Sequence, residues 1–193
     1  MSSGQYIDMG NFTSDDVRME DIEVSLNHIY RFTGHHKDKV PLTVAQHSYM
    51  VWMLACKLFP DEPNVQLAAI MHDWPEAYYG DMATPWKKIL GDHLRKLQAV
   101  FDHAVFDALW LHQYKYDDEV HDKVKMCDLI ALDIERRNMW KSQLGKDKWP
   151  VSPEIGLTLQ QKEEWFDDAQ SIQYVNLSGI RDMYNPSELV QYA

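Results

Sequence analysis

The chain of 193 residues is long enough to bury a substantial core and fits one domain. Its formal net charge of −11 argues against nonspecific binding to a nucleic-acid backbone or an anionic membrane, so a phosphate site would depend on a few local cations. Two cysteines inside apolar patterns, an N-terminus without the layout of a signal peptide and the lack of any apolar run near ~18 residues predict a soluble protein of the cytoplasm, or of the host cytoplasm if the chain is viral.

Helical periodicity dominates the chain and strand-like alternation is scarce, which predicts an all-α fold, a single compact helical bundle over residues 1–193. Residues 1–18 are expected to be irregular. Loops are predicted at about 31–42 and 80–85, and the second loop leads into the stretch WKKIL. The tail from Lys141 to Ala193 has little pattern outside one helix. Helices are predicted at about residues 19–30, 43–58, 64–73, 75–79, 93–112, 118–140 and 160–169.

Two adjacent polar residues, His72 and Asp73, follow an apolar run in the stretch LAAIMHDWPEAYYGDMATPW, which spans Leu67 to Trp86. Buried apolar helices seldom carry such charge without a partner. A second His-Asp pair, at residues 121–122, lies in the charged segment DDEVHDKVK and has no apolar run before it. The context therefore marks the first pair, rather than the dipeptide itself, as a candidate site.

The first His-Asp pair suggests a metal site. Imidazole and carboxylate ligands together suit a divalent first-row metal better than calcium or a thiolate-bound ion. Adjacent helical residues point about 100° apart, so the pair needs further ligands from other helices. His47 interrupts the apolar face of one predicted helix, and Asp128 lies beside the apolar stripe of another. On the residues alone, His47 is also typical of a satisfied core histidine, and Asp128 of an ion-pair stripe with Lys125 and Glu135.

Three strings occur in an order that resembles the H…HD…D pattern of the HD-domain superfamily of metal-dependent phosphohydrolases. They are RFTGHHKDKVPLTVAQHS, MHDWPEAYYGDMATPWK and KMCDLIALDIERR, at residues 31–48, 71–87 and 125–137. The closer resemblance is to the small nucleotidase branch, similar to bacterial 5'-deoxynucleotidases and to phage deoxynucleoside triphosphohydrolases that remove dATP. It covers about residues 20–140 and implies an HD-domain bundle, with 141–193 as a C-terminal extension that packs on the core.

The resemblance also implies a cofactor. This is one divalent transition metal, namely Mn, Co, Zn or Fe, with Mg as a further option. Positions are left open for water and substrate oxygens. The implied metal ligands are His47, His72, Asp73 and Asp128.

The resemblance implies catalytic roles for two acids. Glu76, one helical turn after His72, would orient or deprotonate the attacking water. Asp81 would act as general acid near the leaving ester oxygen or position water there. Without the resemblance, they read as an exposed acid of a short helix and an ordinary turn residue. The resemblance also implies contacts to the substrate. Phosphate would be bound by Arg31, Lys87 and Lys125, which without the resemblance are ordinary solvated cations. The nucleoside would be contacted by Phe32, Thr84 and Trp86, which without it are ordinary packing residues.

The implied function is metal-dependent hydrolysis of a deoxynucleotide at the phosphorus linked to the 5'-oxygen, which releases deoxynucleoside and either phosphate or triphosphate. Lys87 and Lys125 favour the longer phosphate chain only slightly, and both substrates stay open. The alternatives are a noncatalytic nucleotide-binding or assembly module with a structural metal, and a cyclic-nucleotide phosphodiesterase. The expected partners are a small deoxynucleotide and further copies of the chain in a homo-oligomer, with no nucleic-acid polymer and no membrane.

Three further histidines, His93, His103 and His112, raise the question of a second metal, because some HD-domain enzymes recruit extra histidines. They fall on different faces of one predicted helix and have no second clustered motif beside them. A single-metal site is therefore favoured, and elemental analysis of bound metal per chain measures the stoichiometry.

Overall fold

The fold is built from α-helices. The structure, a computed structural model of the chain, describes residues 1–36, 41–109, 117–139 and 153–184. Within these ranges the β pairing is limited to an isolated bridge between Tyr30 and Thr43, which confirms the predicted all-α class. No helix in these ranges is both long enough and apolar enough to cross a bilayer. The helices are α1 (Met19–His28), α2 (Val44–Leu58), α3 (Pro63–Met71), α4 (Glu76–Tyr79), α5 (Thr84–Ala108), α6 (Asp118–Met139), α7 (Leu159–Ser171) and α8 (Leu177–Asp182).

Helices α2, α3 and α6 pack against one another and carry the candidate site. The start of α2 is fixed by a capping box, in which Thr43 Oγ1 accepts from the Gln46 N–H and the Thr43 N–H donates to Gln46 Oε1. Pro63 occupies the first turn of α3, where its missing N–H costs no helical hydrogen bond. The apolar stripe predicted for the helix that bears Asp128 is buried in this layer: Val120, Val124, Cys127, Ala131 and Ile134.

Helix α5 begins earlier than the sequence predicted. The loop was expected to run through Pro85 and the helix to start near residue 93, but α5 begins at Thr84. Proline fits the first turn of a helix, so Pro85 favours this start rather than preventing it. Gly91 interrupts the helical geometry with φ 55° and ψ −131°, a conformation that residues with side chains avoid. The stretch WKKIL therefore forms a separate helical segment, which Gly91 joins to the segment that buries Leu94 and Phe101. The predicted end of this helix near His112 lies outside the described residues.

The described C-terminal residues pack on the other helices. Phe166 of α7 is fully buried against the core side of α2 and α6. The Asn27 side chain of α1 donates to the Val175 carbonyl at 3.0 Å and accepts from the Val175 N–H at 2.8 Å. The predicted helix at 160–169 is observed as α7, whereas α8 had no recognisable pattern in the sequence.

Asp133 joins α6 to α7 through a cluster of charged hydrogen bonds. Its carboxylate accepts from Arg136 at 2.9 Å and Arg137 at 2.7 Å on its own helix, and from Lys162 of α7 at 3.1 Å. Burial raises the pKa of Asp133, but these hydrogen bonds outweigh burial and lower the pKa to about 2. We expect Asp133→Asn to lower the free energy of unfolding by about 1 kcal/mol at pH 7, as measured by urea denaturation, because the ion pairs are partly screened by solvent.

The same substitution has an expected pH dependence. The folded pKa lies below the usual value of 3.8, so the stabilisation by Asp133 is complete above pH 3.8 and is lost as the pH falls through about 2. The stability difference between the wild type and Asp133→Asn should shrink over that interval. Glu163→Gln, which changes an exposed acid of α7, is the control and should leave stability unchanged. An equal loss in both variants would contradict the assigned contacts.

Candidate metal centre

Two histidines face each other where α2 meets the end of α3. His47 of α2 is fully buried, His72 directly follows α3, and their ring centroids lie 5.3 Å apart. His72 Nδ1 lies 2.7 Å from the Ala69 carbonyl oxygen, which can only accept, so Nδ1 carries the proton and Nε2 keeps its lone pair in the neutral ring. His47 Nδ1 lies 2.5 Å from Glu135 Oε1. The Nε2 atoms of both rings are buried and have no hydrogen-bond partner among the described residues.

Two carboxylates complete the cluster around these Nε2 atoms. Asp73 Oδ2 lies 3.5 Å from His47 Nε2 and 3.2 Å from His72 Nε2. Asp128 Oδ1 of α6 lies 3.4 Å from His47 Nε2, and one ligand atom from each of His47, His72 and Asp128 lies within 4.8 Å of the others. Neighbouring ligands of one ion bound at about 2.1 Å are roughly 3.0–3.4 Å apart in octahedral or tetrahedral geometry. The structure thus brings His47, His72 and Asp128 together in a group that could hold an ion, and Asp73 lies against both imidazoles. Coordination of an ion by all four residues stays a prediction.

The electrostatics of the cluster favour ionised carboxylates. Burial raises the pKa of Asp73, but His72, His47 and Arg31 outweigh burial and hold the pKa well below its usual range. Burial likewise raises the pKa of Asp128, and the neighbouring His47 imidazole lowers it further than burial raises it. Both groups are therefore anionic at neutral pH and available to a cation. Burial and Arg31 lower the pKa of His47, whereas Glu135 and Asp128 raise it to about 10, so a metal would displace a proton from this ring.

The predicted catalytic acids lie beside the cluster. Glu76 begins α4 and is buried; its Oε1 is 3.4 Å from Lys87 Nζ, and its Oε2 is buried without a hydrogen-bond partner among the described residues. Burial, followed by the charges of Asp73 and Asp81, raises the pKa of Glu76 well above its usual value despite the opposing effect of Lys87. Asp81 follows Gly80, whose φ of 84° turns the chain after α4.

Arg31 is a buried cation that lies among the acidic residues of the site. Its Nη1 lies 3.8 Å from Asp73 Oδ2 and 3.6 Å from Asp81 Oδ1, and its Nη2 donates to Glu135 Oε2 at 3.3 Å. The backbone that presents it is unusual, because the next two residues, Phe32 and Thr33, both have φ 55°. Residues other than glycine pay roughly 1–3 kcal/mol for such a conformation, which is typical of functional sites.

The remaining predicted substrate contacts fall into two groups. Lys87 and Lys125 reach the site, since Lys87 contacts Glu76 and Lys125 Nζ donates to Asp128 Oδ2 at 2.6 Å. The Phe32 ring centroid lies 5.3 Å from the Arg31 guanidinium carbon. Thr84 and Trp86 are exposed in the first turn of α5, and no contact in the described structure joins them to the cluster. Their contact with the nucleoside stays a prediction.

The three additional histidines do not form a second described cluster with each other. His93 and His103 are exposed on α5, and His112 lies outside the described residues. In the described part of the chain, the group of histidine and acidic residues close enough to share an ion is the one at His47, His72 and Asp128. The stoichiometry of bound metal stays a prediction.

Glu135 belongs to the site, although the sequence assigned it no role beyond an ion-pair stripe with Asp128. Its side chain is fully buried in α6 and contacts His47 and Arg31. Burial raises the pKa of Glu135, but Arg31 and His47 outweigh burial and lower it, so the group is a carboxylate. The available sequence signal was its spacing of seven residues from Asp128, which places both acids on the same face of the helix.

The chain is similar to two proteins whose activities are not described by their names. No family model matches the chain. The uncharacterized protein YfdR of Escherichia coli K12 is 35% identical over 159 residues, which cover 81% of this chain and 79% of YfdR. The uncharacterized protein RCAP_rcc00048 of Rhodobacter capsulatus is 36% identical over 92 residues, 47% of each chain. Because the match with YfdR spans most of both proteins, the chain belongs to the same family as YfdR.

Proposed function

We propose that this protein is a metal-dependent phosphohydrolase of the HD-domain superfamily that hydrolyses deoxynucleotides at the phosphorus linked to the 5'-oxygen. One observation carries the proposal. His47, the His72-Asp73 pair and Asp128 come from three separate helical segments and meet at one point, where imidazole Nε2 atoms lie 3.2 to 3.5 Å from ionised carboxylates. A purely structural core seldom buries so many ionisable groups at one point. The predicted cytoplasmic location is part of this proposal.

The donor set fits the implied metal. Two imidazole nitrogens and two carboxylates suit Mn, Co, Zn or Fe, whereas Mg prefers a set made of oxygen atoms. Held by these residues, an ion would have further positions for water and a phosphate oxygen. When bound, such an ion would polarise a phosphate oxygen and increase the acidity of a water molecule.

The residues around the centre have the chemistry that hydrolysis needs. Glu76 is a buried acid whose raised pKa makes its ionised form a good proton acceptor, so it would orient the attacking water and accept a proton from it. Arg31 would stabilise negative charge on the phosphoryl group through its planar donors. Asp81, 3.6 Å from Arg31, would assist departure of the 5'-oxygen of the nucleoside.

The charge balance favours a monophosphate over a triphosphate. Lys87 contacts Glu76 and Lys125 contacts Asp128, so each lysine is already matched by an acid of the site. Arg31 is matched by three carboxylates. A divalent ion would bring this acidic surface close to neutrality and leave little positive charge for the β- and γ-phosphates. The structure therefore weakens the slight preference for a triphosphate that the two lysines gave in the sequence.

A substrate panel tests the proposed function. Purified protein is incubated with each dNMP, each dNTP and cyclic AMP in the presence of Mn²⁺, Co²⁺ or Mg²⁺, and the products are resolved by chromatography. We expect deoxynucleoside and phosphate from at least one dNMP, with Mn²⁺ or Co²⁺ more active than Mg²⁺, and no turnover in EDTA. Tight nucleotide binding without turnover would support the noncatalytic module instead, and hydrolysis of cyclic AMP alone would support a phosphodiesterase.

The homo-oligomer is part of the same proposal. Helix α5 exposes several large apolar side chains, which would be covered by a second copy: Trp86, Ile89, Leu90, Leu97 and Val100. Light scattering at several protein concentrations measures the mass directly. A monomer at all concentrations would contradict this part without affecting the proposed chemistry.

A further inference from the structure

A single buried carboxylate joins the candidate metal ligands to the candidate phosphate-binding arginine. Glu135 Oε1 lies 2.5 Å from His47 Nδ1, and Glu135 Oε2 accepts from Arg31 Nη2 at 3.3 Å. The Glu135 and His47 side chains are fully buried, and the Arg31 side chain is nearly so. Burying an ionised carboxylate is costly unless both oxygens are paired, and here each oxygen has its own partner.

We propose that Glu135 is a positioning residue that sets both the metal-ligating orientation of His47 and the phosphate-binding orientation of Arg31. This inference rests on the proposed function, because it assigns the residue to the same metal centre. Glu135 itself lies behind His47, on the Nδ1 side of the ring, and acts through its two partners rather than on a substrate.

The contact with His47 decides which ring nitrogen faces the centre. An imidazole that donates from Nδ1 to a carboxylate keeps its Nε2 lone pair available to a metal, and such outer partners also make the ligand more basic. His47 Nε2 is the atom that lies near Asp73 and Asp128, at 3.5 and 3.4 Å. Among the described residues, Glu135 is the acceptor on the opposite nitrogen.

The contact with Arg31 fixes the plane of its guanidinium group. The distances from Nη1 to Asp73 and Asp81, 3.8 and 3.6 Å, are longer than the distance from Nη2 to Glu135. Arg31 Nε is buried and has no hydrogen-bond partner among the described residues. Glu135 therefore provides the closest of the three carboxylate contacts that orient the Arg31 guanidinium.

Glutamine has almost the same shape as glutamate but cannot serve both partners. If its carbonyl oxygen accepts from His47 Nδ1–H, its NH₂ group faces the donors of Arg31. If the amide is turned round, its NH₂ faces His47 Nδ1, which must then accept a hydrogen bond and carry no proton. The neutral ring then carries its proton on Nε2, and this nitrogen can no longer bind a metal. Glu135→Gln therefore breaks one of the two contacts in either orientation.

The experiment compares the wild type, Glu135→Gln and Asp133→Asn. Asp133 is the matched control, because it is an acid on the same helix that accepts hydrogen bonds from basic residues away from the metal cluster. Titration calorimetry gives the Kd for Mn²⁺ and for inorganic phosphate in the Mn²⁺-loaded protein, and circular dichroism gives the Tm. We expect Glu135→Gln to weaken Mn²⁺ or phosphate binding by about 10- to 100-fold, and Asp133→Asn to change neither Kd more than about twofold.

The outcomes separate this inference from the proposed function. A folded Glu135→Gln protein with a lower Tm but unchanged Kd values would overturn the positioning role and leave the function in place. A wild type that binds no Mn²⁺ would overturn both. If Glu135→Gln does not fold, ¹⁵N NMR of the Zn²⁺-loaded wild type decides the question: a proton on His47 Nδ1 with the metal on Nε2 supports the role, and the reverse assignment overturns it.

Discussion

Replacing His72 with alanine should remove the bound metal and lower hydrolysis of the best nucleotide substrate by at least about three orders of magnitude. The substitution deletes one of two nitrogen ligands, and the loss of charge stabilisation by the metal is worth several kcal/mol in the barrier. His72 is a better choice than His47 because its side chain is 14% exposed and not fully buried, so the fold is less affected. Elemental analysis of metal per chain and the initial rate in Mn²⁺ are the two measurements.

The second His-Asp pair of the sequence supplies the control. His121 lies on α6 with 67% of its side chain exposed, so His121→Ala should keep one metal per chain and the wild-type rate. Added Mn²⁺ should also raise the Tm of the wild type and of His121→Ala, since a ligand that binds only the folded state stabilises it. The Tm of His72→Ala should be insensitive to Mn²⁺. Full metal content together with full activity in His72→Ala would disprove the assigned centre.

Much of the fold follows from local patterns, and the exceptions have local causes. The stripe on α6 could be predicted because its apolar residues recur at helical spacing. The start of α2 was predicted near residue 43, and the structure shows that a capping box of Thr43 and Gln46 fixes it there. The predicted start of α5 was wrong because Pro85 was assigned to a loop and the helix was expected to begin only near residue 93. Pro85 and Gly91 are in fact both compatible with helix, one in the first turn and one at an internal break.

The sequence alone marked the part of the candidate site whose polar residues are adjacent along the chain. His72 and Asp73 adjoin an apolar run. The resemblance supplied His47, which lies 3.5 Å from Asp73, and Asp128, which lies 3.4 Å from His47. Glu135 was not predictable, because its contact with His47 joins residues 88 positions apart and depends on how α2 packs on α6.

The backbone conformation of the residues after Arg31 could not be predicted from the sequence either. Left-handed backbone conformations are usually adopted by glycine or asparagine, so the residue type predicts them. Here Phe32 and Thr33 adopt them instead. Tertiary packing rather than local propensity must hold this turn. The resemblance marked Arg31 as a substrate contact, but the strain that presents it to the site could be seen only in the structure.

Replacing Glu76 with glutamine should lower kcat by about 10²- to 10³-fold while one metal per chain remains bound. The substitution keeps the size of the side chain but removes its ability to accept a proton, and positioned general bases contribute about 10²- to 10⁴-fold. The pH profile makes the test specific. Burial is the largest cause that raises the pKa of Glu76 and persists when the metal is bound, so kcat of the wild type should rise with pH as the carboxyl ionises. That acidic limb should be absent in Glu76→Gln.

Glu119→Gln is the matched control, because Glu119 also forms an ion pair with a lysine, Lys123, but lies on the surface of α6 with 78% of its side chain exposed. It should retain the wild-type rate and pH profile, which separates loss of the proton acceptor from loss of a Glu-Lys pair. If Glu76→Gln turned over substrate as fast as Glu119→Gln, Glu76 would not act on the attacking water. Loss of metal from Glu76→Gln would instead assign Glu76 to the coordination of the ion. The combination of a retained metal, a slow chemical step and a missing acidic limb is the result that only a proton acceptor beside the metal explains.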